Sequence, residues 1–196
     1  MIPILIMAAG QSTRMRGADK MLEDANGEPL LRRQVKMAAA TGAPVFVALP
    51  TGASARQIAI ADLDVAVLTV PEAIKGLSHS LRGALQQLPG CDAFMVMLAD
   101  LVALETEDLL DLINARRDQP DAMIWRATTQ AGQPGHPVIF DARLRPTFET
   151  LNGDDGATPI IAQNATQTVL VPLKGNRARF DLDTPEDWAA WRAISH

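Results

Sequence analysis

The fold this sequence predicts is a three-layer α/β/α sandwich: a mostly parallel sheet with helices on both faces. Short, wholly apolar runs recur along the chain, among them Ile4-Leu5-Ile6, Val45 to Leu49 and Ala93 to Leu98. Runs of that length without polar alternation suit strands buried on both faces. Stretches with helical spacing separate them, and strands alternating with helices build a parallel sheet. A length of 196 residues with 47% hydrophobic content suffices for the core of one domain, read as residues 1–196.

The first strand takes Ile2 and Ile4 to Ile6. After a loop, Asn26-Gly27 marks a turn. Leu30, Leu31, Val35, Met37 and Ala38 then share one face of a helix ending near Thr41-Gly42. Val45 to Leu49 is the second strand and Ser54 to Ile60 a short helix. Val65 to Val70 is the third strand, stopped by Pro71, and a helix from Gly76 to Leu88 is closed by Pro89-Gly90. Ala93 to Leu98 is the most hydrophobic strand, which argues for a central place in the sheet. Thr106 caps a helix running to Arg117, with Leu109, Leu110, Leu112 and Ile113 toward the sheet. Strands follow at Ala122 to Ala127 and His136 to Phe140. The tail holds helices at Leu144 to Leu151 and Thr158 to Ala162, a strand at Thr168 to Pro172 and a helix at Thr184 to Ile194. Trp125, Trp188 and Trp191 sit at strand or helix spacing and read as core.

Composition narrows the function. A formal charge of −5 argues against a nucleic-acid-binding surface, which needs a basic excess. The single cysteine, Cys91, excludes an intrachain disulfide and a cysteine metal site, and suits a reducing cytoplasm. It precedes a buried strand and reads as core filler. No basic leader with a long apolar run opens the chain, and no stretch approaches a membrane span.

Chemistry concentrates in the run Met7 to Lys20, MAAGQSTRMRGADK. Ala8, Ala9 and Gly10 carry almost no side chain, so a ligand can approach the backbone and its amides. Ser12, Arg14, Arg16 and Lys20 follow against one acid, Asp19. Small residues at a strand end followed by fixed positive charge suit a polyphosphate; an ordinary small, basic strand-to-helix loop is the other reading. Neither the Walker spacing nor the glycine fingerprint of dinucleotide folds occurs, which sets nicotinamide chemistry aside.

Two acidic stretches stand out. Asp100 leaves the most apolar strand at its carboxyl end, where open α/β sheets bind ligands. A carboxylate there needs a partner, and magnesium, held by one or two carboxylates and substrate phosphates, is one; an acid near a helix start is the alternative. In Asp181-Leu182-Asp183-Thr184-Pro185-Glu186-Asp187, Asp181 and Asp183 share a face when extended. Helix capping by Asp183 or Thr184 explains much of that motif, though not both acids ahead of it. Gly76-Leu77-Ser78-His79-Ser80-Leu81 opens a helix whose free N–H groups can hold an anion or a base edge, with His79 itself read as a solvated first-turn residue. His136, in Gly132-Gln133-Pro134-Gly135-His136-Pro137, is either a substrate contact or a structural histidine. Gly153-Asp154-Asp155-Gly156-Ala157 is a polar turn suited to face a second substrate.

The run from Met7 to Lys20 resembles the opening signature L-A-A-G-x-S-x-R-M-G-x-x-K of nucleotidyltransferases with a Rossmann-like domain. With GLSHSL, LAD, GQPGHPVIF, GDDGA and DLDTPED in order, nearly the whole chain resembles the MobA-like nucleotidyltransferase family. Ala8-Ala9-Gly10 is similar to its cytidylyl branch, which uses CTP and molybdopterin, whereas the guanylyl branch usually has two glycines there. The resemblance implies nucleotide contacts from Ala8, Ala9, Gly10 and Ser80, with Arg14 and Lys20 on the phosphates. It implies Mg2+ on Asp100 and Asp183 with Asp181 a third acid, and catalytic roles for Arg14, Lys20 and Asp100. The implied partners are CTP, a phosphorylated small-molecule acceptor and a molybdoenzyme or maturation factor. Three positions depart from the pattern: Arg16 is inserted before Gly17, Leu101-Val102 replaces a following x-Pro, and Thr158 stands where the family carries arginine. A sugar-phosphate or other alcohol-phosphate acceptor, or a nucleotide-holding maturation factor without turnover, are the rival readings.

Overall fold

The computed structural model describes residues 1–194. Its sheet has seven strands: β1 (Ile4–Met7), β2 (Val45–Leu49), β3 (Ala66–Thr69), β4 (Ala93–Leu98), β5 (Ile124–Thr128), β6 (Pro134–Asp141) and β7 (Thr168–Pro172). They lie in the order β3-β2-β1-β4-β6-β5-β7. Six α-helices connect or follow them: α1 (Leu30–Ala39), α2 (Ser54–Ala59), α3 (Leu77–Gln87), α4 (Thr106–Asp118), α5 (Thr158–Gln163) and α6 (Pro185–Ile194).

The strands are apolar throughout because both of their faces are covered. Ile4 and Ile6 pack in one core with Leu30 and Val35 of α1, Leu109 and Leu112 of α4, and Trp188 of α6. Leu5 and Met7 point the other way, into a core with Leu81, Ala84 and Leu85 of α3 and Ile160 of α5. Alternation of side chains along a strand feeds both layers from one short run. Trp125 and Trp188 are buried, as their spacing implied. Cys91 packs at the edge of the second core, and burial pushes its thiol up.

Four differences from the sequence expectations have local causes. Ile2 lies outside the first strand, which begins at Ile4. β6 runs antiparallel to both β4 and β5. No helix separates β5 from β6, and a short turn can join strands only antiparallel. The stretch Ala142–Thr150 forms 3-10 turns rather than a helix over Leu144 to Leu151. Pro146 lies inside it, and proline removes a donor and clashes with the preceding turn. Finally, α4 is capped by Glu105, whose side chain and that of Asp108 form a reciprocal capping box. The Thr106 hydroxyl instead donates to the Met37 carbonyl, tying α4 to α1.

The sheet order creates the crevice. From β1 the chain moves outward through β2 and β3, then returns to β4 on β1's other side. Connections therefore diverge between β1 and β4, leaving open space beyond their carboxyl ends.

Candidate active site

The loop leaving β1 begins pinned and ends free. The Ala8 amide donates to the Ala48 carbonyl at 3.1 Å, and the Ala8 carbonyl accepts from Arg56 Nη1 at 2.6 Å. The amides of Ala9, Gly10, Gln11 and Ser12 have no acceptor among the described residues. A side chain added at Gly10 would meet no protein atom within 4 Å. Ser12 takes a left-handed φ of 52° and its hydroxyl accepts from the Lys20 amide, which closes the loop on itself. The inserted Arg16, also left-handed, reaches out to Glu186 of α6 at 2.7 Å.

Arg56 was not singled out by its sequence context. It is buried, and its Nε and Nη2 donate to the two oxygens of Asp19 at 2.7 and 2.8 Å. One guanidinium thus clamps both ends of the segment from Ala8 to Asp19. No local spacing joins Asp19 to Arg56, so only the packing of α2 against the loop reveals the pair.

Opposite the loop sit the acids. Asp100 lies two residues beyond the end of β4, and Asp181 is brought beside it by a β-bridge between Leu101 and Asp181. With Leu182 buried between them, Asp181 and Asp183 face the same way. Helix α6 does not consume Asp183: the Thr184 hydroxyl accepts from the Asp187 amide, and the Asp187 carboxylate accepts from the amides of Asp183 and Thr184. The capping box therefore belongs to Thr184 and Asp187, which leaves the Asp183 carboxylate free for the crevice.

Lys20 joins the acids. Its Nζ donates to Asp100 Oδ2 at 2.8 Å and to Asp183 Oδ1 at 2.7 Å, while Arg14 meets Asp183 Oδ2 at 2.6 Å. Burial works against the ammonium charge, yet Asp100 and then Asp183 outweigh it and hold Lys20 above its ordinary value. Burial likewise opposes the Asp183 charge, but Lys20, then a hydrogen bond with Asp181 and then Arg14 keep that carboxyl below the usual range. Asp181 moves the other way, raised by burial and by the neighbouring Asp183. One oxygen from each of Asp100, Asp181 and Asp183 lies within 4.8 Å of the others. Asp100 Oδ1 is buried and meets no donor among the described residues. Clustered carboxylate oxygens with one unsatisfied could hold a hard divalent cation.

Between loop and acids lies a cavity of about 510 Å3, lined by Ala8, Ala9, Gly10, Arg14, Lys20, Ser80, Asp100 and Asp183. Every residue singled out for nucleotide, phosphate or metal contact thus borders one space, with Asp181 behind it in the acid cluster. The α3 end of the cavity differs from expectation. The Leu77 amide donates to Asp154 Oδ1 at 3.3 Å and the Ser78 amide to the Gly153 carbonyl at 3.2 Å, so these N–H groups are not free. Gly76 has φ +111°, and a Cβ there would lie 2.0 Å from Asp154 Oδ1, so the Gly153-Asp154 turn closes on α3. The buried Ser80 hydroxyl donates to the Gly76 carbonyl. His136 is enclosed beside the crevice, where burial and the nearby Arg126 charge push its imidazole down to about 4.

The geometry has counterparts among known proteins. No curated protein matches the chain. Rv0371c from Mycobacterium tuberculosis H37Rv superposes with a TM-score of 0.85 at 25% identity, covering 100% of this chain and 97% of that one. The same mycobacterial protein solved in complex with manganese gives 0.81 at 23% identity, covering 98% of each chain. A CMP:2-keto-3-deoxy-manno-octonic acid synthetase complexed with CTP gives 0.79 at 14% identity, covering 100% and 98%. The model of the MobA-like NTP transferase domain matches residues 4–169, from β1 through Asp100 to the edge strand β7. With its sheet order, its bare loop after β1 and that match over most of its length, the chain belongs to the MobA-like NTP transferase family of nucleotidyltransferases.

Proposed function

We propose that residues 1–196 form one nucleotidyltransferase domain that moves a cytidylyl group from CTP onto a phosphate monoester, with molybdopterin as acceptor. An acceptor phosphate oxygen attacks the α-phosphorus, and a new P–O bond forms in line with the bond that breaks. The electron pair of the broken bond leaves with the β-phosphate oxygen as pyrophosphate. The attacking oxygen is already an anion, so no general base is required, and catalysis rests on positioning and charge.

The observation that carries this reading is that Ala9 to Ser12, whose four amides have no partner among the described residues, line one cavity with a lysine locked between two carboxylates. Those amides and Arg14 suit the triphosphate tail. Lys20 spends two of its three N–H donors on Asp100 and Asp183, which leaves one for a phosphate oxygen. Asp100 and Asp183, with Asp181 beside them, would hold Mg2+, which when bound supplies neutralising charge to the phosphates. Ser80 lies at the end of the cavity assigned to the nucleoside. Such an enzyme would work in the cytoplasm beside a molybdoenzyme or maturation factor; no helix among the described residues is long and apolar enough to cross a membrane.

A panel of the four common nucleoside triphosphates against molybdopterin, sugar phosphates and other alcohol phosphates, with Mg2+, tests the proposal through pyrophosphate release. The expected result is release with CTP and molybdopterin together. Release only with a different pair reassigns the substrates, and tight CTP binding without release under any acceptor replaces the enzyme by a carrier.

A further inference from the structure

Four arginines have no carboxylate ion pair among the described residues: Arg145 is spent on the Leu85, Leu88 and Pro89 carbonyls and Arg116 lies over the Trp125 ring, which leaves Arg126 and Arg179. Arg126, half-buried in the middle of β5, donates from Nε to the Gly135 carbonyl at 3.1 Å. Arg179 ends the 3-10 turn Arg177–Arg179 and donates from Nη1 to the Pro134 carbonyl at 2.9 Å. Two guanidinium groups thus rest on successive carbonyls at the start of β6, with no carboxylate ion pair among the described residues. Burial, and after it the Arg179 charge, hold the Arg126 guanidinium below its usual value. The arrangement is built in tightly: a Cβ on Gly135 would lie 2.0 Å from the Ala178 carbonyl oxygen, so the turn carrying Arg179 is pressed onto the start of β6.

The sheet order gives the pair its position. β4 lies between β1 on one side and β6, then β5, on the other. Extending the pairing Val96↔Val138 sets His136 beside Leu98, so Pro134 and Gly135 reach the carboxyl end of β4 near Asp100. The bare loop after β1 therefore flanks the acid cluster on one side, and Arg126 with Arg179 flanks it on the other. Arg179 also stands two residues before Asp181. In-line displacement needs the nucleophile and the leaving pyrophosphate on opposite sides of the α-phosphorus. A tail held at the β1 loop leaves the β5–β6 side for the nucleophile.

We infer that Arg126 and Arg179 form a phosphate-monoester site that holds the acceptor opposite the triphosphate; its assignment to the acceptor rests on the nucleotidyltransferase reading above. Planar guanidinium forks match phosphate geometry, and an uncompensated pair is prepared for a dianion. Inorganic phosphate is the probe, titrated calorimetrically in Mg2+ buffer with the nucleotide site filled by the non-hydrolysable analogue α,β-methylene-CTP. Phosphate should bind alongside the analogue, and Arg179→Gln and Arg126→Gln should each weaken it about tenfold or more. The affinity for the analogue should stay within about twofold, since neither residue faces the triphosphate loop. Arg179 is exposed, so Arg179→Gln keeps the test open should Arg126→Gln fold poorly. Phosphate that only competes with the analogue, or that binds both variants as it binds the wild type, overturns the site. Arginine-dependent phosphate binding with no analogue binding supports the anion site and instead removes the nucleotide reading.

Discussion

Replacing Lys20 by methionine keeps the bulk of the side chain and deletes its charge. The carboxylate oxygens of Asp100, Asp181 and Asp183 lie within 4.8 Å of one another. At such a separation and an effective dielectric constant of roughly 20, two unit charges repel by about 3 kcal/mol. In the wild type, the ammonium at 2.8 and 2.7 Å from Asp100 and Asp183 offsets that repulsion. Breaking one side of a buried ion pair costs about 3–5 kcal/mol. The Asp100 and Asp183 side chains keep 26% and 18% of their exposure, so water screens part of the charge. The expected loss is then about 2–3 kcal/mol at neutral pH, a Tm drop of about 6 °C for a chain of this size. Because a divalent cation can replace the missing ammonium, Mg2+ or Mn2+ should raise the Tm of Lys20→Met more than that of the wild type. Turnover should nonetheless fall by about 100-fold or more, since the cation directed at the phosphates is gone. Scanning calorimetry with and without saturating metal, run beside a pyrophosphate-release assay, reads both effects. Equal metal-induced shifts in the two proteins, or turnover near the wild-type rate, would refute the placement of Lys20 within a shared metal and phosphate site.

Arg56→Leu strips the Ala8 carbonyl and Asp19 of their clamp, and denaturant titration should show a loss of about 2–3 kcal/mol, with a raised KM for the triphosphate; unchanged KM would reduce Arg56 to a purely structural role. Gly135→Ala drives a methyl group into the Ala178 carbonyl, and should cost about 1–3 kcal/mol of stability while lowering acceptor use more than triphosphate binding; a stability and KM profile like the wild type's would contradict the close packing of that turn. His136 is held neutral down to about 4, whereas an unfolded histidine takes its proton near 6.5. The unfolded state therefore binds more protons between those values, so the stability from burying neutral imidazole is present above pH 6.5 and declines toward pH 4, by at most about 3 kcal/mol. Urea midpoints across that range should fall less steeply for His136→Gln, and identical slopes would show that His136 takes up its proton in the folded protein.

The sequence by itself determined what nearest neighbours along the chain decide. Apolar runs such as Ala93 to Leu98 and the helical spacing of Leu30 to Ala38 encode buried strands and covering helices, because alternation and periodicity are local properties. The small residues Ala8 to Gly10 and the carboxylates of Asp100 and Asp183 stood out as candidates for chemistry, with an ordinary loop, a helix-start acid and helix capping as the other readings of the same residues. The tertiary structure decided which distant groups meet. Whether Asp183 caps α6 or faces the crevice depends on Thr184 and Asp187 forming the cap between themselves. That Asp154 takes the Leu77 amide, that Arg56 binds Asp19 and that Arg126 and Arg179 share the start of β6 all follow from the sheet order and from which loops close over it. Such pairings span tens of residues, where no periodicity connects the partners, so charge and hydrogen bonding select them only once the hydrophobic layers have fixed the backbone.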